Sequence, residues 1–181
     1  MTTVIVTPLV GIFIQPYIEV RKNRITKERA NRIEVIVLIK SITSNLFVVL
    51  DEAKNKEKKL LIPTMVSIVA SRLDSIESDA KDLVRLLVHL GVYHPSLKNH
   101  EDKFIRDVAH IAGGAVKIKS NVTKNTDKSI NGQTGFRDVN VRTMNGYIGN
   151  LKNILEEVEH LGLKNRIKRK FSKIIRMKKQ R

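Results

Sequence analysis

Asn153 and His160 stand seven positions apart, separated by Ile-Leu-Glu-Glu-Val-Glu. On a helix, seven residues make almost two full turns, about 10 Å along the axis, so both side chains fall on one face. A polar amide and an imidazole placed this way can position a ribose-phosphate group and move a proton at it. Four other histidines, His89, His94, His100 and His110, fall around the end of one helical segment and the first half of the next. None has a second histidine at the i, i+4 spacing that suits a metal. With no cysteine in the chain, disulfides and thiolate chemistry are excluded, and a metal would have only His and carboxylate ligands. The chain also lacks G-x-x-x-x-G-K, G-x-G-x-x-G and H-E-x-x-H. A nucleotide loop or zincin centre therefore has no support, and neither metal nor cofactor is expected.

Four apolar periodicities supply the helices that would carry these residues. Val35, Ile39, Ile42, Leu46 and Val49 step 4, 3, 4, 3 on a first helix expected to run on to about Asn55. Ile62, Val66, Val69, Leu73, Ile76, Ala80, Leu83, Leu87 and Leu90 keep the same rhythm for four heptads. Pro63 suits that second helix's first turn, and Gly91 suits its C-terminal cap. After the turn VYHPSLKN, a third helix is expected from about Glu101 to Ile118 on Phe104, Val108, Ile111, Ala115 and Ile118. The stretch Ser120–Gly135 has no periodicity and reads as a long polar loop. A fourth helix begins near Asp138 and presents Val141, Met144, Ile148, Leu151, Leu155 and Val158. The sequence therefore predicts an all-α fold, a four-helix bundle with an N-terminal membrane-inserting helix and a basic C-terminal helix. Its expected divisions are an anchor at 1–20, the bundle at 21–162 with a mobile loop at 120–135, and a basic amphipathic tail at 163–181.

Charge and hydropathy describe the two ends. The first eighteen residues carry no charged side chain. As a helix they would cover about 27 Å, close to the ~30 Å hydrocarbon thickness of a bilayer. Arg21, Lys22, Arg24, Lys27, Arg29 and Arg32 follow, with Glu28 among them. Positive charge in that place would hold the C-terminal side in the cytoplasm, giving a single-pass protein of the bacterial inner membrane. A buried N-terminal helix or extended segment and a cleaved signal are the alternatives, although a signal carries its basic residues before the apolar run. Pro8 and Pro16 argue against a central strand. Thr3, Thr7, Gly11 and Gln15 recur every fourth residue, a small and polar strip suited to helix association or to lining a wet pore. Glu34 and Lys40 interrupt the next apolar stretch, which is read as bundle core and not as a second span.

Overall, 34 Lys and Arg oppose 18 Asp and Glu, a net charge of +16, which calls for an anionic partner. Between Leu163 and Arg181 lie ten basic residues and no acidic one, among them Lys164, Arg166, Lys168, Arg169, Lys170, Lys173 and Arg176. Leu163, Ile167, Phe171, Ile174 and Ile175 mark a short apolar face among them, as in helices that lie on anionic lipid or along phosphates. With five Phe, three Tyr and no Trp, the chain has few aromatic rings on which to stack bases.

The Asn153–His160 spacing resembles a degenerate form of the R/N-x(4–6)-H signature of the HEPN family; Arg is the usual first residue, and it is Asn here. The resemblance implies a HEPN-like helical bundle, which in that family often cleaves RNA as a dimer with a composite site at the helix pairing. With its apolar N-terminus, the layout is also similar to the small membrane accessory proteins of type VI-B, RNA-targeting CRISPR systems. That likeness implies a homo-oligomeric membrane pore in antiviral defence, and an RNA-guided effector as partner. Three functions follow as expectations. They are a membrane-perturbing helical oligomer that is not an enzyme, a soluble basic nucleic-acid-binding protein, and a HEPN-type ribonuclease using Asn153 and His160.

Overall fold

The computed structural model describes the backbone of residues 6–54, 63–126 and 140–179, and the side chains of residues 16–53, 66–123 and 140–161. These residues form four helices: α1 (Val6–Lys54), α2 (Pro63–Tyr93), α3 (Pro95–Thr126) and α4 (Val141–Lys179). No strand occurs among the described residues. The fold is all-α, as the periodicities predict.

Each helix buries one stripe. On α2 the stripe runs from Val66 through Leu73, Ile76, Leu83 and Leu87 to Leu90, all in the core. The inner face of α1 (Val35, Ile39, Ile42, Leu46, Val49) and that of α3 (Phe104, Val108, Ile111, Ala115) close on it from either side. α4 packs against both α1 and α3, so the helices form a ring in chain order. Its core face differs from the expected one. Met144, Leu151, Ile154, Val158 and Leu161 are buried, whereas Ile148 and Leu155 only border the core. The core lies on the Ile154–Leu161 side of the Met144–Leu151–Val158 line and not on the Ile148–Leu155 side.

Polar contacts set the register between α1 and α2. Ser41 donates a 2.7 Å hydrogen bond to Asp79, and Arg72 donates one of 3.2 Å to Asn45. Nearer the N-terminus, His94 and Glu28 lie 2.9 Å apart, and the Arg24 guanidinium sits 5.2 Å from the centre of the Tyr93 ring. Numbers rise on α1 as they fall on α2, so the two helices are antiparallel. Asn45 is 7% exposed, the buried polar side chain among the described residues, and Arg72 satisfies its oxygen. Lys119 bonds Asp74 across α2 and α3, which are also antiparallel. Tyr147 of α4 rests on Gly114 of α3.

Three element boundaries move from their expected places. Gly91 does not end α2; it is buried inside the helix, close to the Glu101 carboxylate, and α2 continues to Tyr93. The eight-residue turn contracts to His94 alone. Its N–H reaches the Leu90 carbonyl and its carbonyl receives the Leu97 and Lys98 N–H groups, so one residue closes one helix and opens the next. Pro95 is the reason: it restricts the residue before it to non-helical backbone, and its fixed φ suits a first helical position. At the far end α3 continues to Thr126, with Val122 extending the apolar stripe one turn past Ile118. Thr123 turns its hydroxyl back to the Lys119 and Ser120 carbonyls, so this polar side chain is satisfied within the helix itself. The remainder of the expected loop, and the NKEKK connection at 55–59, lie outside the described residues. α4 opens at Asn140, whose side-chain oxygen caps the Arg142 and Thr143 N–H groups at 2.9 and 3.3 Å.

The two adjacent glycines of α3 separate packing from propensity. A Cβ at Gly113 meets nothing within 4 Å, whereas one at Gly114 would stand 2.8 Å from Cε2 and 2.9 Å from Cζ of Tyr147. Gly113→Ala should stabilise the protein by up to about 1 kcal/mol through helix propensity. Gly114→Ala should destabilise it by roughly 1 kcal/mol or more by forcing the ring away. Urea unfolding of the two variants beside the parent checks the opposite signs.

Candidate functional site

Asn153 and His160 both lie on α4, and both side chains are exposed on its outward surface. Leu151, Ile154, Val158 and Leu161 hold this helix to the bundle from the opposite side. The pair therefore presents an amide and an imidazole to solvent on one face, with Glu156 exposed and Glu157 half-buried between them. The fold delivers the geometry expected from the spacing, on a rigid helix and not on a loop.

The other histidines are dispersed. His94 is occupied at the α2–α3 corner by Glu28, and His100 stacks on Phe104 with ring centres 5.9 Å apart. His89 and His110 are exposed on separate helices. Among the described residues, no three His, Asp or Glu side chains gather as a metal would require.

The basic groups of α1 form a second surface. Arg21, Lys22, Arg24, Lys27 and Arg29 are exposed, and Arg32 is half-buried with its Nε out of contact with any hydrogen-bonding partner. Glu28, the one acidic residue among them, is held 2.9 Å from His94. Tyr17 and Val20, 68% and 67% exposed, stand beside these charges. An apolar and aromatic edge next to a basic collar is the arrangement found where a helix meets a membrane interface. Sequence reasoning located the collar; it missed that the α2–α3 corner clamps it through Arg24–Tyr93 and Glu28–His94. The H-P dipeptide at 94–95, which makes the corner tight, was the available signal.

Pro16–Ala53 is long and apolar enough to cross a membrane, with a mean hydropathy of 2.0 in its best window. The one eighteen-residue window there with no more than two charges is Ile33–Leu50, containing Glu34 and Lys40. That window is 39% buried against the bundle, and it is the stretch expected from sequence to be core. Ile33, Val37 and Phe47 remain exposed on its outer face, which accounts for the high hydropathy. The strip of Thr3, Thr7, Gly11 and Gln15 lies outside the residues whose side chains are described. So do Lys164, Arg166, Lys168, Arg169, Lys170, Lys173 and Arg176, although the α4 backbone carries all seven of these positions as helix. No protein-family model, curated protein or solved structure matches the chain.

His160→Ala, at an exposed helix position, should change stability by no more than about 0.5 kcal/mol. If the pair serves in RNA cleavage, the same variant should abolish hydrolysis of a single-stranded RNA by the purified protein. Unchanged cleavage would remove the pair from the chemistry.

Proposed function

We propose that this protein is a membrane-anchored helical bundle that self-associates and perturbs or permeabilises the bacterial inner membrane as an antiviral defence effector. The observation that carries the reading is the continuity of α1. One helix of 49 residues, about 73 Å long, runs from the apolar N-terminal stretch through the basic collar into the bundle core. A change in the packing of its outer end reaches the core without an intervening loop. The collar of Arg21, Lys22, Arg24, Lys27 and Arg29 meets lipid phosphates on the cytoplasmic side. Thr3, Thr7, Gly11 and Gln15 bring copies together, since small residues allow close helix approach where the surrounding lipid is as apolar as the helix. Asn153 and His160 are secondary to this function.

Deleting residues 1–18 should move the protein from the membrane fraction to the soluble fraction and collapse its detergent-solubilised mass to that of a monomer. Sedimentation of the cell lysate, followed by light scattering in detergent, reads both effects. Recovery of the intact chain as a soluble monomer would overturn the proposal.

A further inference from the structure

Among the described residues, Arg32 forms no hydrogen bond and no ion pair, and its Nε is closed off from solvent. A buried donor left unpaired costs free energy, so the site favours any acceptor that can reach it. The chain itself carries one. Glu28 precedes Arg32 by four residues, the spacing and order in which an acid and a base on one helix pair most favourably. Yet the Glu28 carboxylate lies 2.9 Å from His94 Nε2 at the α2–α3 corner, and not on Arg32. His94 thus diverts the local partner and leaves the guanidinium to an anion from outside.

Arg29 completes the site. It precedes Arg32 by three residues on the same flank of α1, where Cβ atoms stand about 5–6 Å apart. It is exposed and has no ion pair among the described residues. Two guanidinium groups match the charge of a phosphate monoester, about −1.5 to −2 at neutral pH. Each binds such a group through two parallel N–H donors, and Nε–H with a terminal N–H forms one such edge. The half-buried Arg32 side chain has to turn this edge outward to receive the anion. Arg24, by contrast, is occupied over the Tyr93 ring.

Distance from the apolar segment decides where that phosphate comes from. Arg32 stands fourteen residues beyond Ile18, about 21 Å along α1. The interfacial layer on each side of the hydrocarbon is only about 5–8 Å deep. On the membrane reading above, Arg21 and Lys22 are within reach of that layer, and Arg32 lies beyond it in the aqueous phase. A phosphate held there belongs to a soluble molecule.

We propose that Arg32, with Arg29, binds the phosphate monoester of a soluble small molecule, and that His94 keeps the site open by holding Glu28. The ligand docks beside the α2–α3 corner, at the root of the arm that enters the membrane. Only the exclusion of lipid rests on the membrane reading; the site itself does not.

Inorganic phosphate is the probe, titrated into the full chain in detergent at pH 8 and followed by calorimetry, with helicity checked by circular dichroism. Arg32→Gln should weaken binding roughly 10-fold or more. Arg21→Gln, the same loss of charge about 16 Å away, should leave it within about twofold at physiological salt. His94→Ala removes no lysine or arginine, yet it too should weaken binding, because Glu28 then turns to Arg32. Adding Glu28→Gln to that variant should restore the affinity. Equal weakening by Arg21→Gln and Arg32→Gln reduces the effect to diffuse attraction and overturns the site, as does a parent chain that binds no phosphate. Full affinity in His94→Ala overturns the role of Glu28. Displacement of phosphate by single-stranded RNA lacking terminal phosphates assigns the site to nucleic acid and overturns the small-molecule ligand. Loss of partitioning onto phosphatidylglycerol vesicles in Arg32→Gln assigns the residue to lipid and overturns it equally. A parent chain that binds phosphate but neither phosphatidylglycerol nor phosphatidylcholine vesicles overturns the anchoring reading instead.

Discussion

Burial of a strict heptad stripe on α2 is the constraint on which the other elements depend. Leu73, Ile76, Leu83, Leu87 and Leu90 offer one continuous apolar seam with a helix closing on each side of it. Neither α1 nor α3 could hide its own stripe alone, and α4 closes the ring from the far side. The cohesive energy is non-directional, so it fixes that the helices pack but not how they slide. The polar pairs Ser41–Asp79 and Asn45–Arg72 supply the register. They sit where α1 meets α2, the contact through which the apolar N-terminal segment joins the bundle.

Much of this arrangement is legible in the residues. The 4, 3 periodicity of α2 gives both its length and its buried face, because apolar side chains at that spacing have one low-energy disposition. Pro63 begins the helix as its fixed φ requires. Gly91 misleads, because glycine serves equally as a cap and as a point of close approach, and only the Glu101 side chain against it decides between the two. The polar run Ser120–Thr126 misleads for the opposite reason. Its burial rests on one residue, Val122, whose cover comes from core neighbours distant in sequence.

The candidate surfaces divide along the same line. The shared face of Asn153 and His160 follows from spacing alone, since a helix fixes the angle between positions seven apart. The surroundings of the α1 collar do not, because Tyr93 and His94 lie some seventy residues away and reach it through the corner. Hydropathy is less decisive still. Ile33–Leu50 and the first eighteen residues both satisfy the composition of a membrane span, and 39% of the former is buried in the bundle. A helix apolar on two faces looks alike to lipid and to a protein core.

The interlocked α1–α2 contacts have a mechanical consequence. Moving α1 along its axis by one turn, about 5.4 Å, would separate Ser41 from Asp79, Asn45 from Arg72 and Glu28 from His94 together. Piston motion is thereby opposed at three points, and tilting a continuous α1 about the corner strains most the two pairs farthest from it, Ser41–Asp79 and Asn45–Arg72. The free length beyond Arg24 acts as a lever arm of about 27 Å, so a 10° tilt displaces its tip by roughly 5 Å.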